Sequence, residues 1–370
     1  MIDLDKYSNN AIEVKKGASG KKYKIQTPDG EMFFKSNYTY PNGDMEIRQD
    51  IIETFISNLL QKMNVPNVLE YKLAHFQDMD GCSSPNFIPK DSKEVTYHQI
   101  AYINYLNSKR KSKVPYDYAE PEKSITGKRK KAVAKIVHKN SQKFRMFDRT
   151  LPKYMDSFAT LDDIETTIQQ YCDSYNIDVD IDNVKQNFFN IVVIDYFLCN
   201  TDRNWQNFNF IISHEGTKLK LSPTPIYDNG YAFGMGYYHN PIFANQTEAY
   251  KKVISWLSLT DITNNSNIPR ALAVDIWENS QQNNILKNNG SLTLDIYSLT
   301  KSNPAIANLV DKFTQLDINK ELLEFSSQQN IEISPELSAY ISLFFKTRQS
   351  NYTDVIRRIE KKTTKNNREK

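Results

Sequence analysis

The chain has 370 residues and a net charge of +3, with 39% hydrophobic and 25% charged residues; that is long enough for a sizeable core in one large domain or two lobes, and folded rather than disordered in composition. The near-balanced charge argues for neither nucleic acid nor an anionic membrane as partner. Three scattered cysteines, Cys82, Cys172 and Cys199, form no CxxC pair, which suits a reducing compartment and excludes a disulfide scaffold.

No apolar run approaches the ~20 residues that span a bilayer; the longest, Phe188 to Cys199, is broken by Asn190 and Asp195. The amino terminus, Met-Ile-Asp-Leu-Asp-Lys, is too polar for a secretory signal. A cytoplasmic protein is expected, unless it is exported as an effector.

In chain order, residues 11–36 predict strands and turns: Ile12-Glu13-Val14, a glycine-containing turn at Lys16 to Lys21, Tyr23-Lys24-Ile25, a Pro28-Asp29-Gly30 turn, and Met32 to Lys35. Helical spacing of Ile51, Ile52, Phe55, Ile56, Leu59, Leu60 and Met63 predicts a helix over 46–64, stopped by Pro66. A strand over Glu70 to Phe76 follows, then a Gly/Ser/Pro-rich connection from Gly81 to Pro89. Residues 106–150 hold two basic runs, Lys109-Arg110-Lys111 and Lys128 to Lys131, around a Pro- and Tyr-containing loop. From 160 onward helices dominate: 160–175, 184–199, 247–258, 268–279, 304–315, 318–328 and 335–360. A hairpin, Phe208 to Ile212 with Leu219 to Leu221, interrupts them, and a polar tail over 361–370 is expected to fray. The expected division is a β-rich lobe over 1–105, a basic insertion over 106–150, and a helical lobe over 151–360.

The strongest chemical signal is Asn200-Thr201-Asp202-Arg203-Asn204-Trp205-Gln206-Asn207, a loop between an apolar helix and a hairpin. Asp202 and Asn207 stand at the spacing of kinase catalytic loops, where the Asp takes the attacking hydroxyl's proton and the Asn binds metal. After the hairpin comes Pro225-Ile226-Tyr227-Asp228-Asn229-Gly230, placing a second metal-binding carboxylate at Asp228. Mg²⁺ takes oxygen ligands, commonly one or two carboxylates plus phosphate oxygens. Either piece alone is as well read as a turn; their order and the hairpin between them favour a site.

The first lobe supplies matching parts. Lys35, at a strand end, can reach nucleotide phosphates as a point charge. Glu53 on the next helix can pair with it, with Glu46 as a competitor. Gly17, Ala18, Ser19 and Gly20 are small enough to bring backbone N–H groups close to phosphate.

These residues resemble the HipA-like serine/threonine kinases, in their compact form without the extra N-terminal subdomain. The likeness rests on Gly17 to Lys21, Phe34-Lys35, the Glu53 helix through Pro66, Gly81 to Phe87, Ile194 to Arg203, and Pro225 to Gly230. It covers roughly residues 11–260. It implies a two-lobed α+β kinase-like fold with ATP and Mg²⁺ between the lobes. Asp202 is then the base, Asn207 and Asp228 the metal ligands, and Lys35 the phosphate-binding lysine. Ser19 stands where relatives autophosphorylate to silence themselves. Many relatives carry His two residues after the base; Asn204 is there in this chain, and Asn does not titrate. The partners implied are a protein substrate with a Ser or Thr acceptor and an antitoxin or regulatory protein, with no direct nucleic-acid contact and no membrane.

Two alternatives remain at this stage. Asp202-Arg203 also resembles phosphoinositide kinases, so a lipid or small-molecule kinase is one; a nucleotide-binding pseudokinase acting on a partner or DNA is the other. Asp178-Val179-Asp180-Ile181-Asp182 imitates the start of a calcium loop, but Asn183 and Phe189 stand where Gly and Glu are required. The five histidines form no metal spacing. Tyr237, Tyr238 and His239 follow Asp228 closely enough to shape substrate access.

Overall fold

The computed structural model of the protein describes residues 1–14, 20–39, 46–108, 161–198, 200, 207–235 and 292–368. The fold is mixed α+β. A six-stranded sheet dominates the N-terminal part, while helices around a smaller, four-stranded sheet make up the C-terminal part.

The first sheet contains β1 (Ile2–Asp3), β2 (Ala11–Val14), β3 (Lys22–Thr27), β4 (Gly30–Ser36), β7 (Lys72–Phe76) and β8 (Met79–Pro85), in the order β1-β7-β8-β4-β3-β2. Between them come the short pair β5 (Tyr38–Thr39) and β6 (Glu46–Ile47). Successive side chains point to opposite faces of a strand. Tyr23, Ile25 and Phe34 therefore go to one side, where they meet Leu4, Ala74 and Phe76 in a small core. Lys22, Lys24, Phe33 and Lys35 go to the other, paired Lys22 to Lys35 and Lys24 to Phe33. The expected Pro28-Asp29-Gly30 turn closes β3 onto β4.

One expectation fails here. Gly81 to Pro85, anticipated as a connection, lies in β8, between β7 and β4. Its small residues are there for contact: a Cβ on Gly81 would collide with the Lys35 backbone carbonyl. Composition that imitates a loop is here the mark of a strand pressed against its neighbour.

Helix α1 (Gln49–Lys62) begins later than the predicted 46, because Glu46-Ile47 is taken by β6. Its apolar stripe, Ile51 through Leu60, joins the large core of the C-terminal part rather than the small core above.

The chain passes from the first sheet to the second between Pro85 and Lys93. Strand β9 (Lys93–Thr96) already pairs with β11 (Asn209–Glu215) in the second sheet, ordered β10-β12-β11-β9 with β10 (Ile177–Val179) and β12 (Lys218–Pro223). Helices α2 (Tyr97–Ser108) and α3 (Leu161–Tyr175) pack together beside it.

Helix α4 (Ile181–Leu198) is the buried helix of the C-terminal part. The calcium-like Asp run serves it as a cap: the Asn183 N–H donates to Asp180 Oδ1 at 3.0 Å. Asn190, which broke the apolar run, accepts from Gln186 Nε2 at 3.0 Å, and Gln186 Oε1 accepts from Asn303 Nδ2 at 2.9 Å. Asn303 in turn caps α6 (Pro304–Gln315), which follows α5 (Leu292–Ser302). The last helices are α7 (Ile318–Gln329) and α8 (Pro335–Arg368). The tail expected to fray is the end of α8; no Gly or Pro interrupts it. Among the described residues no helix is long and apolar enough to cross a membrane. The helices predicted at 247–258 and 268–279 and the basic runs of 109–143 lie outside the described residues.

Phe197 of α4 stacks on Phe313 of α6 at 4.8 Å and also meets Phe345 and Tyr352 of α8. Phe197→Ala is expected to cost about 3–5 kcal/mol through the cavity it leaves. Urea unfolding followed by circular dichroism measures this as a lowered midpoint at unchanged slope.

Candidate active site

Two stretches of irregular chain build the site by running side by side. One leaves α1 through Asn67-Val68-Leu69; the other leaves β12 through Thr224-Pro225-Ile226. The Ile226 N–H donates to the Asn67 carbonyl at 2.6 Å, and the Leu69 N–H donates to the Ile226 carbonyl at 3.1 Å, an isolated parallel bridge. The Asn67 amide donates to the carbonyls of Thr224 at 2.9 Å and Pro223 at 3.3 Å. Ser57 of α1 locks the first stretch, donating to the Leu69 carbonyl at 2.8 Å and accepting from the Tyr71 N–H at 3.0 Å.

This alignment carries Asp228 to the face of the first sheet that holds the Lys35 side chain. There its Oδ1 meets Lys35 Nζ at 3.0 Å, across 193 residues of sequence. Asp228 has φ of 58°, the left-handed region that costs a non-glycine residue energy. The peptide that follows it is held on both edges. Its carbonyl, belonging to Asp228, accepts from Asn200 Nδ2 at 2.8 Å, and its N–H, belonging to Asn229, donates to Glu53 Oε1 at 3.0 Å. Gly230 comes next, against α1: a Cβ there would lie 2.8 Å from Glu53 Oε2 and 3.3 Å from the Gln49 Cβ.

The electrostatics follow from enclosure and pairing. Burial pushes the Lys35 ammonium toward its neutral form, but the carboxylates of Asp228 and Glu53 outweigh burial, so its pKa is raised and the charge is permanent. Burial raises Glu53, with the Lys35 ammonium and the Asn229 N–H opposing. Cys82 pairs with Lys35 across β8 and β4; burial and the Glu53 charge push its thiol well up, so it stays neutral and is no nucleophile.

Asn207 is buried just ahead of β11. The residues around Phe210 pair with Pro223 at the end of β12, so Asn207 and the Asp228 stretch leave the same end of this hairpin. Asn209 ties them: its amide donates to Tyr227 Oη at 2.7 Å and to Glu94 Oε1 at 2.8 Å. Asn207 and Asp228 both lie beyond the open end of this hairpin.

Lys35, Glu53 and Asp228 thus come together, with Asn207 at the adjoining hairpin end. Lys35 makes its ion pair with Asp228, Glu53 accepts from the Asn229 N–H, and the Glu53 charge acts on Lys35 without a direct hydrogen bond. Glu46, the competitor, lies in β6. Gly20 has a structural reason to be glycine, with φ of 69° and a Cβ position that would strike the Ser36 carbonyl. Gly17, Ala18, Ser19, Asp202 and Asn204 lie outside the described residues, as do Tyr237, Tyr238 and His239. Sequence reasoning gave no role to Asn67 and Asn200, whose amides hold the backbone here. As a donor set, the Asp228 carboxylate and Asn207 amide are hard oxygen ligands suited to Mg²⁺, and the Lys35 ammonium suits a phosphate. The residues present fit the Mg²⁺-nucleotide that the sequence implies.

Because Gly230 is pressed against Glu53, Gly230→Ala is expected to destabilise the fold by about 1–3 kcal/mol through overpacking. The loss appears as a lowered melting temperature, and the same Gly230→Ala change should cost less when made in a Glu53→Ala background, where the clash is absent.

No family model matches the sequence, and no curated protein does. Solved structures do resemble it. The Helicobacter pylori proinflammatory kinase CtkA aligns over 97% of this chain and 98% of its own, with a TM-score of 0.53 and 15% identity. Shewanella oneidensis HipA, solved with HipB and its operator DNA, aligns over 91% of this chain and 64% of its own, with a TM-score of 0.39 and 12% identity. The chain is therefore similar to the kinase CtkA in fold along nearly its whole length.

Proposed function

We propose that the protein is an ATP- and Mg²⁺-dependent serine/threonine protein kinase of HipA-like type. The observation that carries this reading is the 3.0 Å ion pair of Lys35 and Asp228. It sets a buried, permanently charged ammonium from the sheet against a carboxylate from the second lobe. That is the arrangement needed to hold a triphosphate by its charge and its metal at once. The similarity to a kinase fold supports it.

In this reading Lys35 binds and orients the phosphates, and Asp228 with Asn207 would hold the metal, which would supply charge neutralisation to the phosphate oxygens. Asp202 accepts the proton of the acceptor hydroxyl. The hydroxyl oxygen forms a bond to the γ-phosphorus as the bond from that phosphorus to the bridging oxygen breaks. ADP leaves with the electron pair. The chain's contribution is positioning and charge. Ser19 is the proposed site of self-phosphorylation.

Purified protein with labelled ATP and Mg²⁺ is expected to incorporate phosphate, with Ser19 among the modified residues in peptide mapping. Asp202→Ala and Asp228→Ala should each lower the rate by about 10²-fold or more. Incorporation that survives both substitutions would sink the assignment. Lys35→Met is expected to raise KM for ATP and lower kcat together, because the lysine acts in both binding and charge stabilisation.

A further inference from the structure

We infer that Asn200 is a positioning residue for the Asp228 carboxylate, acting through the peptide between Asp228 and Asn229 as one jaw of a two-sided clamp whose other jaw is Glu53. The inference rests on the kinase reading above and deepens it.

The geometry is specific. One peptide unit offers one carbonyl and one N–H, on opposite edges. Here Asn200 Nδ2 takes the carbonyl at 2.8 Å and Glu53 Oε1 takes the N–H at 3.0 Å. Both jaws are 1% exposed, so neither contact competes with bulk water. The clamped peptide fixes the torsion on the carboxyl side of Asp228, whose φ of 58° is already held away from the broad minima. With both torsions set, the direction of the Asp228 Cα–Cβ bond is set, and the bond to Lys35 Nζ at 3.0 Å places the carboxylate at its end. Metal ligands tolerate little error: a site must be held to within about 0.5 Å of its working geometry.

The jaws come from different parts of the molecule. Glu53 belongs to α1, under the first sheet. Asn200 comes two residues after the end of α4 and precedes Asp202 by two residues. A single side chain therefore links the start of the proposed catalytic loop to the metal-binding aspartate. Glu53 Oε1 takes the Asn229 N–H while Lys35 Nζ takes Asp228 Oδ1, and the Glu53 charge also acts on Lys35.

The competing account is that Asn200 merely satisfies a buried carbonyl. The two accounts differ in what they do to metal dependence. Asn200→Ala removes the amide, Asn200→Asp keeps the shape and loses the donor, and Asn200→His restores an N–H donor. The probe is Mg²⁺ titrated with a non-hydrolysable ATP analogue and read by thermal shift, alongside kcat per folded molecule. Partners that orient metal ligands are worth about 10–100-fold. The Mg²⁺ concentration at half-effect should rise by that factor in Asn200→Ala and Asn200→Asp, with kcat lowered. The shift produced by the analogue without metal should be unchanged, and Asn200→His should regain part of the loss. Folded Asn200→Ala and Asn200→Asp with wild-type Mg²⁺ dependence and kcat would overturn the proposal, whatever their melting temperatures. If neither folds, Glu53→Ala opens the other jaw and must raise the Mg²⁺ requirement in the same way; a normal requirement there overturns it too. A wild-type protein that gives neither an Mg²⁺-dependent shift nor incorporation defeats the kinase reading itself, and the clamp with it.

Discussion

Everything near the site depends on the contact between Lys35 and Asp228. Their side chains retain 13% and 25% exposure, so the pair is mostly desolvated. Taking two charges out of water costs several kcal/mol per ion, and their attraction returns that only where geometry is good. A pair of well-packed apolar residues would stabilise the fold at least as well. A charged pair at this place is therefore poor evidence for stability and better evidence for a job that needs charge.

Bringing the two charges together is the task of α1. Its apolar stripe is counted in the large core, yet its polar face, Gln49 and Glu53, meets the Asp228 stretch. Phe55 packs edge-on against Phe325 of α7 at 5.4 Å. Lys62 reaches Glu321 and Glu324 at 2.7 Å each, and Lys312 of α6 donates to the Met63 carbonyl at 2.6 Å, where a cation at a helix C-terminus is favoured. The exposed Lys62 pairs add little by themselves. The buried aromatic contact and the shared core do the holding. So the position of Glu53 is set from the helical part of the molecule, although Glu53 lies in the N-terminal third of the sequence.

What could be read from the sequence follows from which forces are local. Alternation and a Pro-Asp-Gly turn exposed β3 and β4; the helical spacing of apolar residues exposed α1, α4, α6, α7 and most of α8. Lys35 and Asp228 were legible because a lysine at a strand end and an Asp-Asn-Gly after a hairpin each carry a local signature. β8 was hidden, since Gly81, Ser83 and Ser84 serve close packing against β4, and packing leaves no periodic trace. The start of α1 was placed early because the pairing of Glu46-Ile47 with Tyr38-Thr39 is non-local. The backbone-holding contacts of Asn67 and Asn200 were invisible. An asparagine in a loop reads as a turn former, and only the folded chain shows that its amide reaches a backbone carbonyl 28 residues away, as Asn200 does.

The likeness to CtkA at 15% identity shows how little of the sequence such a fold requires. Apolar stripes need only hydrophobic character and roughly conserved volume, and many residues supply both. The clamped peptide is different. Its hydrogen bonds need an N–H donor from one side, an acceptor from the other, and no Cβ at Gly230, where one would lie 2.8 Å from Glu53 Oε2 of α1. A carbonyl cannot replace the Asn200 donor, and an apolar residue at Glu53 would leave a buried N–H unpaired at a cost of about 1–3 kcal/mol. The tolerance of the core and the intolerance of this peptide come from the same structure. The core is held by non-directional burial, spread over many residues; the Asp228 peptide is held by directional bonds from Asn200 and Glu53.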